Sequence, residues 1–73
     1  MLVTYTRHSR KRMRWRKIHE ADVELVLTSP DRIEPSGEGR INAYKMLGGR
    51  VLKVTYFQEH SLIKVITAVW KGE

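Results

Sequence analysis

His8 and Arg12 are residues whose types and spacing suit a reaction. An imidazole that titrates near neutral pH and a guanidinium four positions later share one side of a helix, so a proton carrier would stand one turn from a phosphate clamp. The chemistry that fits such a pair is RNA strand cleavage, in which the 2′-hydroxyl attacks its own phosphate. That reaction needs a base or positioning group, an acid for the leaving oxygen and cations for the crowded phosphate; it needs no metal and no protein nucleophile. Lys45 and Lys53 are candidate phosphate stabilisers further along the chain. The plainer reading of His8, a histidine at a helix start without a role, stands beside this one.

Other chemistries lack their residues. His8, His19 and His60 are scattered, none has a second ligand at helical spacing, and there is no cysteine, so no metal site and no cofactor is expected. Gly48-Gly49 reads as a hairpin turn and not as a phosphate-binding loop, and no serine or cysteine nucleophile motif is present.

The surroundings of His8 point the same way as its chemistry. Residues 7 to 17 hold seven of the fourteen Lys and Arg, namely Arg7, Arg10, Lys11, Arg12, Arg14, Arg16 and Lys17, and no acid. The rest of the chain carries seven positive and eight negative charges, so the net charge of +6 is local to this segment. Such a cluster suits a polyanion, with RNA as the leading partner and DNA not distinguished from it. The same cations serve equally a non-catalytic nucleic-acid-binding or protein-interaction module, or simply a solvated face. A membrane surface is a poor fit, because a polybasic helix needs a broad apolar face and only Met13 and Trp15 are available. No apolar run approaches the roughly 18 residues needed to cross a bilayer, and the expected home is cytoplasmic.

These residues need elements to position them. A chain of 73 residues makes one domain, residues 1–73, that buries only roughly 60% of its unfolded surface. Met1 to Tyr5 reads as a short strand or extended lead-in, and Thr6 as the cap of a first helix. On that helix Ser9 and Met13 form the stripe to be buried, with His8 and Arg12 at its margin. Arg7, Arg10, Lys11, Arg14 and Lys17 take the opposite arc, and Trp15 is expected to be partly buried against a sheet, with stacking on a base as the alternative. His19 near the N-cap and Asp22 at the third helical position open a second helix. Ile18 and Val23 have the spacing of a hydrophobic staple, and Thr28-Ser29-Pro30 ends it.

After Pro30 the apolar period falls to about two. Arg32 to Glu34, Arg40 to Leu47, Val51 to Phe57 and Leu62 to Trp70 read as strands, with Tyr44 and Tyr56 as sheet-packing residues. The last strand lacks clean alternation, as suits a central strand or an edge that joins a second copy into a homo-oligomer. The expected fold is α+β, ordered β-α-α-β-β-β-β, with two N-terminal helices packed on one face of an antiparallel sheet.

The string His8-Ser9-Arg10-Lys11-Arg12-Met13, then Ile18-His19-Glu20-Ala21-Asp22-Val23-Glu24-Leu25-Val26-Leu27, Pro30, Gly48-Gly49-Arg50-Val51-Leu52-Lys53-Val54 and Val65-Ile66-Thr67 resembles a family of small bacterial domains of unknown function related to BrnT and, more distantly, to the RelE/ParE toxins. The resemblance spans nearly the whole chain. It implies two helices on an antiparallel sheet and the toxin half of a toxin–antitoxin module, with an acidic antitoxin-like protein as partner and, for several relatives, ribonuclease activity. It matches His8 to the family's helix-opening histidine, Arg12-Met13 to its arginine-methionine pair and Thr67 to its last-strand threonine, here a positioning hydrogen-bond donor. Lys17 stands where that family often has a glycine.

Overall fold

Local chemistry sets the ends of the first helix. In the computed structural model, which describes residues 2–72, the chain forms β1 (Leu2–Tyr5), α1 (Arg7–Arg16), α2 (Glu20–Thr28), β2 (Arg32–Pro35), β3 (Ile41–Leu47), β4 (Arg50–Glu59) and β5 (Leu62–Trp70). Met1, placed in the first strand by its sequence, lies outside the described residues. The Thr6 hydroxyl accepts from the Ser9 amide at 2.9 Å, and the Ser9 hydroxyl donates back to the Thr6 carbonyl at 2.9 Å. At the other end Lys17 adopts φ 56° and ψ 44°; its amide donates to the Arg14 carbonyl, while the Ile18 amide donates to the Met13 carbonyl at 2.9 Å. That pair of bonds is the glycine-type helix stop, made here by a lysine.

The second helix opens with the Asp22 carboxylate accepting from the His19 amide at 3.1 Å. Ile18 and Val23 are both buried, as the staple spacing requires. Glu20 and Asp22 sit in the first turn, where the helix dipole favours negative charge.

The strands form one sheet in the order β1-β5-β4-β3-β2. It is mixed, not antiparallel as the meander pattern suggested, because β1 pairs parallel with β5, Val3 beside Ile63 and Tyr5 beside Val65. Helices, not a turn, follow β1, so nothing local dictates its neighbour; burial of Val3 and Tyr5 against the last strand does. β5 is therefore an interior strand, which accounts for its nearly unbroken apolar run. A bulge sets Thr55 opposite Thr67 but Tyr56 opposite Val65, leaving Ile66 as the extra residue.

One face of the sheet carries the core. Ala43, Leu52, Val54, Tyr56, Val65, Ala68 and Trp70 pack there against Met13 and Ile18 at the end of α1 and Val23 and Val26 of α2. α1 lies over β5, α2 over β3 and β4. Two bonds fasten the end of α1: the Arg16 guanidinium donates to the Ala68 carbonyl and the Trp70 indole N–H donates to the Arg16 carbonyl, both at 3.0 Å. Tyr5 lies at the margin of this core, its hydroxyl buried with no hydrogen-bond partner among the described residues. Burial, then the Glu20 and Glu24 carboxylates, push that hydroxyl up to about 12, with partial relief from Arg10.

Two predictions follow from α1 and its foundation. Thr6→Ala should cost about 1 kcal/mol by removing the cap, whereas Lys17→Gly should stabilise by up to about 1 kcal/mol by relieving the left-handed backbone. Urea unfolding monitored by circular dichroism should move the midpoint in opposite directions for the two variants. For Tyr5, the unfolded side chain ionises near 10.0 and the folded one near 12, so its contribution is whole below pH 10 and is lost as pH rises between these values. Tyr5→Phe should therefore lose stability less steeply than the parent over that interval; parallel loss in the two proteins would remove Tyr5 as a cause.

Candidate nucleic-acid interface

The cations of α1 divide according to their angle from Met13, which faces the sheet. Arg16, adjacent to the buried stripe, is half-buried and spent on the Ala68 carbonyl. Arg12, further round, is half-buried, whereas His8, one turn before it, is exposed. Arg7, Arg10, Lys11, Arg14 and Lys17 are all exposed. Only Arg10 of these has an acidic partner among the described residues, Glu20. Its guanidinium also lies 4.8 Å from the Tyr5 ring centroid.

Arg10, Arg14 and Lys17 recur at i, i+4 and i+7 and line a groove of about 480 Å³ between α1 and the start of α2, with Met13 and Ile18 at its base and His19 and Glu20 across from them. An anion lying there would meet three cationic side chains and one carboxylate that is already paired. His19 was read from the sequence as a cap alone; the stripe ending at Lys17, two residues before it, is the signal that brings it beside the cations.

Trp15 departs from expectation. It is 72% exposed, not partly buried against the sheet. Two residues advance a helix by about 200°, so the burial of Met13 turns Trp15 to the far side. The Lys11 ammonium lies 5.7 Å from its ring centroid.

The remaining expected site residues lie elsewhere. Lys45 faces the helices and ties down the loop after α2, its ammonium donating to the Ser29 carbonyl at 2.8 Å and lying 3.6 Å from the Asp31 carboxylate. Lys53 and Thr67 belong to the opposite face of the sheet, where the register sets Lys53 beside Tyr44 and Thr67 beside Thr55. Helical spacing thus sets His8 and Arg12 one turn apart on α1, and the strand pairing puts Thr67 on the sheet face away from them.

That second face has its own polar order. The Thr55 hydroxyl donates to the Asn42 side-chain carbonyl at 2.7 Å, and the Tyr44 hydroxyl donates to the Glu34 carboxylate at 2.6 Å. The Tyr44 bond, helped by Arg32, Lys71 and Lys53, holds Glu34 below the usual carboxylate range, and the same bond raises the Tyr44 hydroxyl. Arg32 stacks 4.2 Å from the Tyr44 ring centroid. Tyr44 is buried here as a packing residue, as its strand pattern suggested, and these contacts leave its hydroxyl engaged.

Among the described residues, no group of three or more metal-ligating side chains stands close enough to hold an ion, and no helix is long and apolar enough to cross a membrane. No curated protein and no solved structure matches the chain. A family model described as Domain of unknown function (DUF4258) matches residues 5–70, from the end of β1 to the end of β5, and so takes in both helices and the groove between them. The chain therefore belongs to the DUF4258 family.

Proposed function

We propose that this protein binds RNA along the exposed arc of α1 and acts as the toxin-like half of a toxin–antitoxin module, as its resemblance to BrnT and the RelE/ParE toxins implies. The observation that carries the reading is charge without compensation: four exposed cations on one ten-residue helix and a fifth, Lys17, at its C-cap, of which only Arg10 has a carboxylate partner among the described residues. A surface that keeps its cations unpaired releases counterions when phosphates replace them, and this is the main sequence-independent source of nucleic-acid affinity. An acidic antitoxin-like protein would cover the same arc by charge complementarity.

Cleavage would be metal-independent. His8, exposed and one turn from Arg12, would move the proton while Arg12 held the non-bridging phosphate oxygens. The 2′-oxygen would form its bond to phosphorus as the bond to the 5′-oxygen broke, giving a cyclic phosphate and a 5′-hydroxyl. A second reading keeps the binding and drops the scission. It is favoured by one observation, that Thr67 sits on the sheet face away from the helices, so that no third group joins His8 and Arg12 through the strand pairing.

Retention of mixed RNA should weaken with salt with a slope of about −3.5 in log K against log salt if all five exposed cations meet single-strand phosphates, and Arg7→Ala with Lys11→Ala should reduce that slope by about 1.4. In chelator, His8→Ala should abolish RNA cleavage while leaving the circular dichroism spectrum unchanged. Salt-dependent retention with no scission by the parent protein would leave the binding reading alone. Flat, salt-independent retention would remove both.

A further inference from the structure

Positive charge explains a polyanion but does not explain Trp15. An indole that is 72% exposed on a helix whose other exposed residues are cations and His8 contributes nothing to the core, and the burial of Met13 fixes it pointing away from the sheet. Its neighbours on that outer surface are Lys11, four residues before it and 5.7 Å from its ring centroid, and Arg12, three residues before it. His8 lies one further turn along the same side. An aromatic face bordered by ammonium and guanidinium groups is what a nucleotide needs when base and phosphate are held together: a flat apolar surface for one and cations for the other.

Bases inside a duplex already stack on both faces, so an exposed indole gains nothing from them without unstacking the helix. A base in a single strand offers its face at little cost. An acidic peptide would satisfy the cations but brings no obligatory flat ring. We propose that Trp15 is a stacking platform for an unpaired base and that the ligand of α1 is a single-stranded RNA segment. The base lies on Trp15, and the adjoining phosphate is held by Lys11 and Arg12, whose backbone positions precede Trp15 by about 6 and 4.5 Å along the helix axis. This rests on the RNA-binding reading and narrows its substrate class.

The test uses the full chain and a 2′-O-methyl oligoadenylate dodecamer, which the proposed chemistry cannot cut because its 2′-oxygen is blocked, beside a 2′-O-methyl duplex of equal length. Trp15→Ala should weaken single-strand binding by roughly 5- to 100-fold and leave duplex binding unchanged, with Trp15→Phe between them. Trp15→Lys separates stacking from charge, since it adds a cation and removes the ring: stacking requires it to bind the single strand more weakly than the parent despite the added cation. Because the side chain is exposed, thermal melts of all three variants should overlay the parent. Indole emission should also be quenched on binding in the parent and not in Trp15→Phe, where the buried Trp70 is the remaining indole. Salt-dependent binding that is equal in the parent, Trp15→Ala and Trp15→Lys would overturn the stacking role while leaving α1 as an RNA surface, and would reassign Trp15 to a protein contact. Absence of salt-dependent binding to either oligonucleotide would overturn both.

Discussion

The structure depends on holding together a helix that its own charges oppose. α1 has no acid in its first turn, where the dipole would reward one, and it sets Arg7 against Lys11, Arg10 against Arg14 and Arg12 against Arg16 at the i, i+4 spacing. With the i, i+3 neighbours added, repulsion amounts to about 1–3 kcal/mol. An isolated segment of ten such residues would not stay helical. Burial of Met13 returns about 1.5–3 kcal/mol and the Thr6 cap about 1 kcal/mol, so the account closes only when the helix is docked. Arg16 and Trp70 then lock the end of the helix to β5 with reciprocal bonds, one through a side chain and one through a carbonyl. The crowded cations are thus a property of the folded domain and not of a trailing segment.

The sheet divides this work between its faces. The helix-covered side is apolar and anchors α1 and α2 through Leu52, Val54, Val65 and Ala68. The other side has Tyr44, Asn42 and Thr55 buried and hydrogen-bonded among polar neighbours. Thr55 and Asn42 are partners within one cross-strand row, and Tyr44 reaches diagonally to Glu34 in that same row, which is how a small sheet keeps an uncovered face without a second layer. Lys53 and Thr67 are part of that arrangement, and Lys45 is part of a loop tether. Charge and hydrogen-bonding capacity in a sequence do not reveal which face will claim them.

What was legible in the sequence was what depends on near neighbours. Thr6 declares the helix start, Ile18 and Val23 the staple, Gly48 and Gly49 the hairpin with positive φ at both positions, and Ser9 with Met13 the buried stripe. What was not legible depends on distant partners. The parallel placement of β1 is decided by residues about sixty positions away, and the face occupied by Thr67 by a one-residue bulge in β5. The exposure of Trp15 was available in principle from the 200° step after Met13, but its aromatic character argued for the core and obscured the geometry.

The parallel pairing of β1 with β5 has a consequence for synthesis. The opening strand has no sheet to join until residues 62–65 have left the ribosome, and α1 lacks the strand it rests on until the same moment. The basic segment therefore precedes in the chain the strand that organises it, and α1 docks only once β5 is available. Docking of α1 is thereby made to wait for β5 by topology alone.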